Sequence, residues 1–95
     1  MQYELTNREN QIFRLISAGF SAKEIADHIY CSSKTVEKTI DNIKKKTGMQ
    51  KNTELVSLYF CGLMNLSFDN FRKIMSEHLL GHVEYERVAK THMLV

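Results

Sequence analysis

A chain of 95 residues has room for one hydrophobic core; folding buries roughly two-thirds of such a chain's surface, so two independent domains are not expected. The apolar share of 43% and the charged share of 25% are those of a globular protein, which excludes a disordered tail and a fibre. A net charge of +2 is too small to name a polyanionic partner by itself, so the placement of the cations has to decide.

In chain order, the opening MQYELTNREN lacks a basic stretch followed by an apolar one, so no secretory signal is expected. Thr6-Asn7-Arg8-Glu9 is a capping box, in which a hydroxyl and a carboxylate satisfy orphan backbone N–H groups reciprocally. It predicts a helix over about 7–18, with Ile12, Phe13, Leu15 and Ile16 on its apolar face. Ser21-Ala22-Lys23-Glu24 is a second box and opens a short helix over about 22–29, offering Ile25, Ala26 and Ile29. Ser32 caps a third helix over about 33–47, where Val36, Ile40, Ile43 and Thr47 fall on one narrow side. Asn52 or Thr53 is expected to cap a fourth helix, about 53–63, and Ser67 a fifth, about 68–80. The four glycines, at positions 19, 48, 62 and 81, each follow an apolar stretch of helical spacing and read as helix stops. Residues 82–95 fit helix, edge strand or frayed tail. The fold class is all-α: four helices plus one additional C-terminal helix.

The fourth helix is apolar on nearly every side, through Leu55, Val56, Leu58, Tyr59, Phe60, Cys61 and Leu63. Such a helix must bury more than one face, so a partner helix is expected, from residues 66–95 or from a second subunit. The extension carries its own apolar stripe of Phe68, Phe71, Ile74, Met75 and Leu79. Leu58, Tyr59, Phe60, Phe68, Phe71 and Met75 are therefore the candidate dimer or partner face. The charges of 66–95 cancel, so all of the +2 belongs to residues 1–65.

The second and third helices are joined by Tyr30-Cys31-Ser32 alone, the arrangement of a helix-turn-helix. In that motif the second helix lies in the DNA major groove and the first crosses the backbone. Opposite the apolar side of the third helix lie Lys34, Lys38, Asp41 and Lys45, flanked by Glu37 and Asn42, and Lys44-Lys45-Lys46 suits the negative end of the helix dipole. A lysine-rich outer face is commonly no more than a solvated one; its phase against the core stripe is what favours double-stranded DNA.

Several fragments, taken in order, resemble the LuxR/GerE-type helix-turn-helix domain. They are Leu5-Thr6-Asn7-Arg8-Glu9, Gly19-Phe20-Ser21-Ala22-Lys23-Glu24-Ile25-Ala26, Ser32-Ser33-Lys34-Thr35-Val36, Asn42-Ile43-Lys44-Lys45-Lys46, Glu54-Leu55-Val56 and Gly62-Leu63-Met64. The resemblance covers residues 4–64 without a gap and divides the chain into a domain at 1–65 and an extension at 66–95. It implies a four-helix DNA-binding domain that dimerises through its last helix. It also implies base-facing positions at Glu37, Lys38 and Asp41, joined by Lys34 from the helix projection. Phosphate contacts are implied near Lys23, Thr35, Asn42, Lys45 and Lys46, with Ser21 beside them.

The sequence departs from the family pattern in places. Glu37 and Asp41 are acidic where basic residues are common, Thr39 replaces a usual histidine, and Asn52 stands where arginine is favoured. Acidic groups reduce non-specific affinity for DNA, yet a carboxylate can accept a hydrogen bond from the cytosine amino group. Taken as complete, the chain lacks the sensor domain of its longer relatives, so regulation would come from abundance, dimerisation or a protein bound through 66–95.

Other chemistry is weakly supported. Cys31 and Cys61 stand far apart with no CxxC spacing and read as core thiols in a reducing cytoplasm. His78 and His82 lack further ligands, so no metal and no cofactor are expected. No apolar run approaches the roughly 20 residues of a membrane span. No nucleophile elbow, phosphate-binding glycine loop or paired-carboxylate arrangement is present, and an enzyme is not expected. The leading expectation is a cytoplasmic, homodimeric transcription regulator on an inverted repeat. Its alternative is an interaction module, or anti-regulator, that captures another regulator through helices 53–63 and 68–80.

Overall fold

The computed structural model describes residues 3–79, and the secondary structure over that span is helical throughout. Five helices follow in order: α1 (Asn7–Ser17), α2 (Ala22–Ile29), α3 (Ser33–Thr47), α4 (Asn52–Leu63) and α5 (Phe68–Leu79). Both capping boxes form as the sequence predicts. Thr6 Oγ1 accepts from the Glu9 backbone N–H at 3.1 Å while Glu9 Oε1 accepts from the Thr6 backbone N–H at 2.8 Å. Ser21 and Glu24 repeat the exchange at 3.2 and 3.0 Å. Ser32 Oγ caps α3 through the Thr35 N–H, and Ser67 Oγ caps α5 through the Asn70 N–H.

The core is one cluster. Ile12, Phe13 and Ile16 of α1 meet Ile25 and Ala26 of α2, Val36, Ile40 and Ile43 of α3, and Leu55 and Leu58 of α4. α1 packs against both α3 and α4, α2 packs mainly on α3, and α5 lies on α4. Truncating the fully buried Phe13 to alanine would cost about 3–5 kcal/mol. This arrangement orients α3: with Val36, Ile40, Ile43 and Thr47 buried inward, its opposite face is left to solvent.

Two predictions about helix ends need correction. The α4 cap is neither Asn52 nor Thr53; the helix begins at Asn52 after Lys51, and its end is satisfied by Glu54, whose carboxylate accepts from the Gln50 and Lys51 N–H groups. Gly62 does not stop α4. It lies inside the helix, and the left-handed turn falls at Asn65, φ 56°, where Leu66 N–H bonds Cys61 O and Asn65 N–H bonds Gly62 O. That is the paired closure of a Schellman motif, with asparagine in the usual glycine place. α2 ends at Ile29, as the sequence predicts, and closes on Tyr30 in the left-handed region, φ 56°. Gly81 and residues 82–95 lie outside the described residues.

The apolar stripe of α5 is covered only in part. Phe68 packs against the core and Phe71 is half-buried, whereas Ile74 and Met75 are exposed. Arg72 Nη1 reaches Glu54 Oε2 at 3.2 Å, an exposed pair that contributes little on its own.

Candidate nucleic-acid interface

α3 is positioned from both ends. At its start Ser32 Oγ lies 2.8 Å from Thr35 Oγ1, and the Thr39 hydroxyl donates to Thr35 O at 3.0 Å. At its end the buried Thr47 hydroxyl donates to Ile43 O at 2.8 Å, and Gly48 takes φ 76°, a conformation costly for any residue with a Cβ. Three lysines in the last turn sit against the negative end of the helix dipole.

Of the base-facing candidates, Lys34, Glu37, Lys38 and Asp41 are all exposed on the face opposite the core. Of the phosphate candidates, Asn42 and Lys45 are exposed on α3, and Thr35 is exposed but committed to the Ser32 cap. Ser21 and Lys23 are exposed at the start of α2, with Ser21 Oγ already holding the Glu24 N–H. Neither Lys34, Lys38 nor Lys45 has an ion-pair partner among the described residues.

Lys46, the remaining phosphate candidate, differs from these in already having an anionic partner. Its ammonium lies 2.7 Å from Glu9 Oε1, and the Glu9 side chain is only 8% exposed. The bond to Lys46, aided by the Thr6 N–H and opposed by burial, holds the Glu9 carboxyl below the usual carboxylate range. Lys46 thus neutralises a buried anion and ties α3 to α1. Sequence spacing gave no sign of this pair, because its members stand 37 positions apart.

The six residues expected to form a partner face do not share one surface. Leu58 is buried in this chain's own core and is not open to a partner, whereas Phe68 packs against that core and is only half-buried. Tyr59 is half-buried, edge-on to Phe13 with ring centroids 5.3 Å apart. Phe60 is exposed, and beside it in sequence so are Leu63, Met64 and Leu66. Cys61 is buried as expected, whereas Cys31 is half-buried against the core. Among the described residues no group of three His, Cys, Asp or Glu side chains could hold a metal ion. His82 lies outside the described residues. No described helix is long and apolar enough to cross a membrane.

A short helix, a tight left-handed turn and a longer helix whose outer face is polar define a helix-turn-helix protein. Residues 3–59 match the family model described as bacterial regulatory proteins, luxR family. The chain belongs to that family. It is 45% identical over 53 residues to the uncharacterized response regulatory protein YgeK of Escherichia coli strain K12, covering 56% of this chain and 36% of that protein. It is 44% identical over 52 residues to the fimbriae Z protein of the same strain, covering 55% and 25%. To the oxygen regulatory protein NreC of Staphylococcus aureus strain JH9 it is 42% identical over 52 residues, covering 55% and 24%. The similarity thus spans between about a quarter and about a third of these relatives' lengths. No solved structure matches.

Proposed function

We propose that this chain is a cytoplasmic, sequence-specific regulator of transcription that binds double-stranded DNA as a homodimer, with α3 in the major groove of each half-site. The observation that carries this reading is the outer face of α3, where Lys34, Lys38 and Lys45 stand exposed and without ion-pair partners in line with the motif's groove-facing side. Membership of a family of regulatory proteins supports it. Two-fold symmetry then implies an inverted repeat, with half-site centres about 34–36 Å apart. Residues 1–65 form the DNA-binding unit, and 66–95 an extension whose helix α5 lies on α4.

Selection from pooled random duplexes, followed by binding across a salt series, tests the proposal. A palindromic motif whose affinity falls steeply with salt is the expected result. Lys38→Ala should cost about 1–3 kcal/mol at its own site only, whereas Lys45→Ala should weaken all sequences alike and reduce the salt slope by about one. No enrichment, and no binding even at low salt, would sink the reading. In that event the exposed Phe60, Leu63, Met64 and Leu66 favour the second one, capture of another regulator through α4 and α5.

A further inference from the structure

Two carboxylates stand on the very face of α3 that is offered to a polyanion. Glu37 and Asp41 are both exposed, lie four residues apart, and have no ion-pair or hydrogen-bond partner from a neighbouring side chain among the described residues. Lysines are in reach on the same helix, Lys34 three positions before Glu37 and Lys38 three positions before Asp41, a spacing that brings side chains together. Each acid thus has a lysine beside it on the helix surface, and neither pair closes on itself. Successive turns of α3 repeat one unit, Lys-x-x-carboxylate.

The major-groove edges of the bases discriminate sharply against such a unit, except in one case. Guanine O6 and N7 and thymine O4 are acceptors and repel a carboxylate, and adenine sets an acceptor, N7, next to its amino donor. Cytosine presents only the N4 amino group, and its guanine partner presents two acceptors. A carboxylate beside an ammonium is complementary to that whole edge: the acid accepts from cytosine N4, and the lysine donates to guanine O6 or N7. We propose that α3 reads two G·C base pairs, one through Lys34 and Glu37 and the other through Lys38 and Asp41. This inference rests on the reading that α3 enters the groove. The two units are about 6 Å apart along the helix, at 1.5 Å per residue. Base pairs rise about 3.4 Å, so the two G·C pairs lie one or two steps apart in each half-site. The acids also repel phosphates at every other sequence, so part of their selectivity is rejection.

The test is selection from random duplexes with the wild-type chain and with Glu37→Gln and Asp41→Asn. An amide favours adenine through its N6 and N7, so each variant should shift one position from G·C towards A·T and leave the other unchanged. At those positions the wild type should prefer G·C by roughly 5- to 100-fold, and each variant should lose most of that preference at its own position. Both variants should also bind random duplex more tightly, having one fewer charge to hold against phosphate. Both residues are exposed and without side-chain partners, so the variants should keep the wild-type circular dichroism and urea midpoint. A wild-type motif without G·C pairs at that spacing, or one that neither variant alters, overturns this inference while leaving DNA binding intact. A wild type that enriches no sequence overturns both.

Discussion

Two side chains at the edges of the motif take on roles that their residue type does not announce. Glu9 Oε1 accepts from both the Thr6 N–H and the Lys46 ammonium, so one oxygen closes a helix cap and joins two helices. Because its folded pKa lies below the unfolded value, its contribution is complete above about pH 4.3, the ordinary glutamate range, and is lost as pH falls through the folded value. Glu9→Gln should therefore lower stability at pH 7 by about 1–3 kcal/mol and flatten the acid limb, as urea unfolding across pH would measure. Glu24 and Glu54 are lowered in the same direction by the backbone N–H groups they cap, so some acid sensitivity should persist in that variant. Tyr30 takes the left-handed conformation that closes α2 while its side chain is 95% exposed, so no packing offsets the backbone cost. Tyr30→Gly should raise stability by about 1 kcal/mol, read from the shift in urea midpoint.

At the scale of elements, α1, α2 and α3 were legible because short-range chemistry defines them: two capping boxes, a serine cap and apolar residues in phase. The core stripe of α3, and hence its outer face, followed from the same periodicity. The closure of α4 was misread: it was assigned to Gly62, and the chain uses Asn65 in the left-handed region instead. Which apolar side of α4 faces inward was not legible at all. An almost wholly apolar helix carries no phase, and only packing shows that Leu58 faces the core while Phe60 does not. The Glu9–Lys46 bond was hidden by its sequence separation. For α5, the structure predicts unequal anchors: Phe68→Ala should destabilise by about 2 kcal/mol, since it packs on the core, whereas Arg72→Ala should barely move the thermal midpoint.

For the whole molecule, the exposed Phe60 and the buried Leu58 separate folding from the homodimerisation proposed above. Phe60→Glu should leave a folded chain that sediments as a monomer, whereas Leu58→Glu should unfold it by burying an unpaired charge. Sedimentation alongside circular dichroism distinguishes the two. The tie between Glu9 and Lys46 has a consequence for how the domain breathes. Opening the first turn of α1 strands a cation at the far end of α3, and opening the last turn of α3 strands a buried anion. Neither end frays cheaply by itself. The amide protons of these two turns should exchange with deuterium at one shared rate, as a single cooperative unit. In Lys46→Met the two rates should part, and the end of α3 would loosen independently of the start of α1.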